Sequence, residues 1–204
     1  MSITLIDDKT LFRTSAQSRG RIVLSGLILL NCVLFIAGLI WPGLREALML
    51  HSPALPTAPL TTAFLNWRAM ASYTLVHAGP THLFFNMLFL WIIGNDIIRR
   101  RGLRRMLLYY IAGAVAGGLG FLTVSAFIPA WTLTSLCGAS AAILGLCGAE
   151  LRGATRLQDC NKAERRIRLI VWLAIGVSLL GSLSLPALAT HICGLATGLA
   201  IAKW

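Results

Sequence analysis

Acidic residues are scarce in this 204-residue chain: Asp and Glu number 7 against 18 Lys and Arg, and only 12% of residues are charged. With 57% apolar residues and a mean hydropathy of +0.77, so small a charged fraction excludes one large water-soluble domain, which could not hide that much apolar surface. The few acids also lie in the wrong places for carboxylate chemistry. Only Asp96 and Glu150 approach the long apolar runs, both at their ends beside arginines, so no carboxylate pair is available deep in a membrane. A zinc-protease helix is missing as well, because His77 and His82 have no acid between them. Cys32, Cys137, Cys147, Cys160 and Cys193 form no CxxC and no even set, so they read as packing residues, not disulfides or metal ligands.

What is present comes in blocks. Apolar runs long enough for a bilayer alternate with short arginine clusters, the pattern of an all-α polytopic membrane protein. Six transmembrane spans are expected: Ile22–Ile40, Thr81–Ile98, Met106–Ile128, a short fourth helix Gly138–Leu151, Leu169–Leu185 and Ala187–Trp204. A connection rich in proline joins the first two, and Pro186 is expected to turn the chain into the sixth. Residues 1–21 then form a cytoplasmic N-terminal segment and residues 22–204 the membrane bundle. The polar stretch before Ile22 and the length of the first apolar run do not fit a cleavable signal.

The net charge of +11 suggests nucleic acid at first sight, but its distribution argues otherwise. Lys9, Arg13, Arg19 and Arg21 precede the first span. Arg99, Arg100, Arg101, Arg104 and Arg105 follow the second, and Arg152, Arg156, Lys162, Arg165, Arg166 and Arg168 follow the fourth; Lys203 ends the sixth. Only Arg45 and Arg68 fall on the other side. Basic residues gathered on alternate connections mark the cytoplasmic face, so both termini are expected there and no nucleic-acid partner is implied.

Small residues indicate close helix packing: Gly113 with Gly117, Gly194 with Gly198, and most of the fourth helix from Gly138 to Ala149. A short helix that is small on most faces belongs in the middle of the bundle.

Polar groups inside a bilayer need a reason. Counted from the cytoplasmic boundary, Ser140 and His191 both lie about 18 Å up, Asn86 about 20 Å and His82 about 26 Å, at 1.5 Å per helical residue. Three helices thus bring polar groups to a shared depth. Serine and histidine suffice for acyl transfer: a neutral imidazole can take the hydroxyl proton as serine attacks a carbonyl. With no carboxylate near His191 in depth, a dyad is indicated. His82 and Asn86 share a helical face and can donate to a developing oxyanion, as can the Ser140 N–H in a first helical turn.

The segments His77-Ala-Gly-Pro-Thr-His82-Leu-Phe-Phe-Asn86, Gly138-Ala139-Ser140 and His191-Ile-Cys-Gly194-Leu-Ala-Thr-Gly198, preceded by Trp67-Arg68, resemble those of the rhomboid intramembrane serine proteases. The resemblance covers about residues 20 to 204 and the order of all six spans. It implies a nucleophile at Ser140, a base at His191, oxyanion donors at His82 and Asn86, a site-forming Gly138 and a structural His77. It also implies cleavage of single-span membrane proteins near the outer face of a bacterial inner membrane, with no cofactor and no metal. Two positions depart from the family pattern: Ala141 stands where glycine usually follows the nucleophile, and Leu144 where many members carry an aromatic. Both bear on efficiency and substrate preference. The alternatives are a non-catalytic rhomboid-like protein that binds or escorts membrane clients, and a small channel or transporter. Retention of Ser140 and His191 opposes the first, and the lack of an inverted repeat or midplane carboxylate opposes the second.

Overall fold

The computed structural model describes residues 8–52, 68–128, 135–153, 162–181 and 184–202. Its order is α1 (Asp8–Ile40), α2 (Pro42–Leu48), β1 (Leu50–His51), a 3-10 turn (Tyr73–Leu75), α3 (Pro80–Arg101), α4 (Leu103–Phe127), β2 (Ser135–Leu136), α5 (Ser140–Gly153), α6 (Lys162–Leu180) and α7 (Leu185–Ile201). Residues 68–72 are also helical and run into the 3-10 turn. Among the described residues the architecture is all-α apart from one two-residue antiparallel pairing, Leu50 opposite Leu136 and His51 opposite Ser135.

Proline and small polar residues set the helix starts. Pro80 opens α3, where its missing N–H has no partner to lose. Ser184 caps α7, its hydroxyl accepting from the Ala187 N–H at 3.3 Å. Gly102, at φ +86°, lets α3 reverse into α4 through one residue.

The chain is an integral membrane protein. Among the described residues, Ser15–Ile40, Pro80–Arg101 and Leu103–Phe127 are long and apolar enough to cross a bilayer, and Leu185–Ile201 is a shorter apolar helix. Large side chains such as Leu29, Ile36, Ile111, Leu119, Trp172 and Leu173 point outward from α1, α4 and α6, which in lipid carries no cost.

At the centre stands α5, where every residue from Ala141 to Glu150 is buried. It rests against α4 and α7 almost backbone to backbone. A Cβ at Gly113 would lie 2.9 Å from the Ala141 carbonyl oxygen, one at Gly145 2.6 Å from the Tyr109 carbonyl oxygen, and one at Gly198 would strike Gly145. At the Arg-rich end, Asp96 pairs with Arg99 at 2.5 Å and with Arg100, and Arg100 and Arg101 both reach Glu150, tying α3 to α5.

Several expectations need correcting. The fifth span was expected over Leu169–Leu185, whereas α6 begins at Lys162 and ends at Leu180. Lys, Arg and Glu are good helix formers, so the helix continues past the apolar run that marks the span. Pro186 lies inside the first turn of α7, not in a turn ahead of it. The proline-rich connection between the first two spans holds α2 and β1. The helix α1 runs without a break through residues 21 and 22. Trp67, Arg156, Cys160, Lys203 and residues 129–134 lie outside the described residues.

Candidate active site

Ser140 is the first residue of α5, and the chain leading to it is held in place. The Gly138 N–H donates to the Tyr73 carbonyl at 2.9 Å, and the Tyr73 hydroxyl, fully buried, donates to the Ala114 carbonyl at 2.7 Å. Gly138 itself has φ +112°, a conformation that side chains disfavour. Ser140 Oγ lies 2.7 Å from His191 Nε2, which α7 presents from its second turn.

His82 and Asn86 face the same space from successive turns of α3. The Asn86 amide donates to the His82 carbonyl at 2.8 Å, which uses one of its two N–H bonds. The Ala78 N–H donates to His82 Nδ1 at 3.4 Å. A ring nitrogen that accepts must be unprotonated, so the neutral ring carries its proton on Nε2, on the side of Gly138. His77 packs edge-on against His82, with centroids 5.2 Å apart; it is 1% exposed, and neither of its ring nitrogens has a hydrogen-bond partner among the described residues.

The structure brings Ser140, His191, His82 and Asn86 around one cavity of about 280 Å³. Phe85 and Phe89 of α3 and Val177, Ser178 and Gly181 at the end of α6 complete its walls. The sequence reading did not single out the α6 residues, whose apolar or small side chains carry no chemical signal. Ala78 was equally hidden, because its contribution is a main-chain N–H. Ala141 and Leu144 are fully buried and do not line the cavity. The Ala141 methyl faces α4, where a Cβ at Gly117 would approach it to 2.5 Å. Among the described residues, no group of three His, Cys, Asp or Glu side chains could hold a metal ion.

The arrangement can deliver a hydroxyl to a carbonyl, accept its proton, and offer N–H donors to the oxygen. Over 85 residues, 42% of this chain and 15% of the relative, the sequence is 38% identical to the rhomboid protease GluP of Bacillus subtilis (strain 168). Over 146 residues, 68% of this chain and 48% of the relative, it is 28% identical to the rhomboid protease GlpG of Yersinia pestis (strain Pestoides F). The chain thus matches less than half the length of these curated relatives. The family model described as the Rhomboid domain matches residues 65–204, well over half the chain, which therefore belongs to the rhomboid family.

Proposed function

We propose that this protein is an intramembrane serine endopeptidase in which Ser140 is the nucleophile and His191 the general base. The observation that carries the reading is the 2.7 Å approach of Ser140 Oγ to His191 Nε2 in a cavity inside a membrane bundle. Attack of Oγ on a scissile carbonyl forms a C–O bond as its proton passes to His191 Nε2. The oxyanion meets the His82 Nε2–H, an Asn86 N–H and the Ser140 main-chain N–H. Collapse breaks the C–N bond, and His191 returns the proton to the leaving amine. Water then hydrolyses the acyl ester on Ser140, with His191 again taking a proton.

The substrates in this reading are single-span membrane proteins, entering from the bilayer and cut near its outer face. The membrane is a bacterial inner membrane, crossed six times with both termini in the cytoplasm; the one-sided arginine clusters support that orientation. The test is cleavage of a single-span substrate by purified protein in liposomes. Ser140→Ala and His191→Ala are each expected to abolish it while the protein stays folded. Undiminished cleavage by either variant overturns the dyad.

A further inference from the structure

His191 has two ring nitrogens, and Nε2 is engaged with Ser140 Oγ at 2.7 Å. The ring also hydrogen-bonds the main chain of Ser178, which leaves Nδ1 as the nitrogen that does so. Ser178 belongs to the last turn of α6, which ends at Leu180. Gly181 N–H takes the Val177 carbonyl at 3.0 Å, one residue before. The Ser178 N–H, by contrast, points back into the helix ladder. The main-chain group that meets the ring is therefore the Ser178 carbonyl, and a carbonyl can only accept.

We propose that the Ser178 main-chain carbonyl is a positioning group for the dyad, accepting the Nδ1 proton of His191 and so fixing the tautomer whose Nε2 lone pair faces Ser140. It takes the place that a carboxylate fills in a Ser-His-Asp triad, where the third group orients the imidazole and steadies the imidazolium. Among the described residues, no Asp or Glu lines the cavity. The last turn of α6 also carries the negative end of that helix's dipole, which favours the cation formed at proton transfer. Because the acceptor belongs to α6 and the base to α7, the base is oriented only while those two helices keep their present register. The inference rests on the reading of Ser140 and His191 as nucleophile and base.

Two measurements test it. The first is nitrogen NMR on ¹⁵N-histidine-labelled protein in bilayers, with His191 assigned by the signal lost in His191→Gln. A neutral His191 in the Nδ1–H form is expected; the Nε2–H form overturns the proposal. The second replaces the amide between Ser178 and Leu179 with an ester, which weakens the Ser178 carbonyl as an acceptor. The control ester lies between Leu179 and Leu180 and leaves that carbonyl an amide. A hydrogen bond to a charged group predicts a kcat lower by roughly ten- to a hundredfold than the control, with KM unchanged. Equal kcat in the two esters overturns it. Ser140-independent cleavage would remove the dyad reading as a whole, whereas normal Ser140 dependence with an Nε2–H ring removes only the role of Ser178.

Discussion

The ring of His82 occupies the space that a side chain at Gly138 would need: a Cβ there would lie 2.5 Å from His82 Cε1 and 2.7 Å from Nε2. Gly138→Ala therefore forces a choice between displacing His82 and altering a backbone already at φ +112°. Either outcome misaligns an oxyanion donor. We expect turnover to fall about 10²–10³-fold, the typical cost of losing one such donor, with a stability loss of about 1–2 kcal/mol from the positive φ. Parallel kinetics and thermal unfolding check both. Wild-type turnover in Gly138→Ala would separate His82 from the reaction.

Asn86→Ala and His82→Ala are expected to slow cleavage without abolishing it, because several N–H groups share the same oxygen. Each single loss again costs about 10²–10³ in kcat. Three variants, the two singles and the double, all as fast as wild type would refute the oxyanion assignment.

The sequence shows some of this plainly and hides the rest for identifiable reasons. Ser140, His82, Asn86 and His191 are visible as polar residues within apolar runs, where a polar group is costly enough to stand out. The central position of α5 is visible in its run of small residues. The main-chain groups of Ala78 and Ser178 are invisible by nature, since every residue has them. The β1–β2 pairing joins two-residue strands far apart in the chain, too short for any alternation to register. The pairing of Asp96 and Glu150 through Arg100 across two helices also needed coordinates; the sequence showed only acids beside arginines.

Gly145 makes a sharper test of packing than the GxxxG pattern does. Its missing Cβ would lie 2.6 Å from the Tyr109 main-chain oxygen, and backbone cannot swing aside as a flexible side chain can. Gly145→Ala should destabilise by about 1–3 kcal/mol, the usual cost of overpacking. Gly176→Ala, where nothing lies within 4 Å, should be close to neutral. Equal melting temperatures for the two would contradict the close contact of α4 and α5.

Burial, helped by the neighbouring His82, pushes the His77 pKa down to about 3. Its ordinary value of about 6.5 applies in the unfolded chain. Below that value the unfolded chain binds a proton that the folded protein refuses, so stability is lost as pH falls from about 6.5 toward 3. His77→Phe removes the titration and gives up no hydrogen bond seen among the described residues. Its melting temperature should therefore fall less steeply with acid than that of the wild type. Identical acid slopes would show that His77 is not held neutral.

Topology is the remaining test, since the direction from which substrate and water reach Ser140 depends on it. In the proposed orientation the Arg-rich ends face the cytoplasm, so the start of α6 lies inside and α2 outside. Gly43 in α2 is exposed, and a Cβ there would meet nothing within 4 Å. Lys162 at the start of α6 is also exposed, so each position should accept a cysteine. In a background without the five native cysteines, an impermeant thiol reagent applied to intact cells should label Gly43→Cys and spare Lys162→Cys until the membrane is opened. Since α5 runs from Ser140 toward the connection that precedes Lys162, the two sites report on opposite ends of the catalytic helix. The reverse labelling pattern would turn the protein over, put the Ser140 end of α5 toward the cytoplasm, and require cleavage at the inner face.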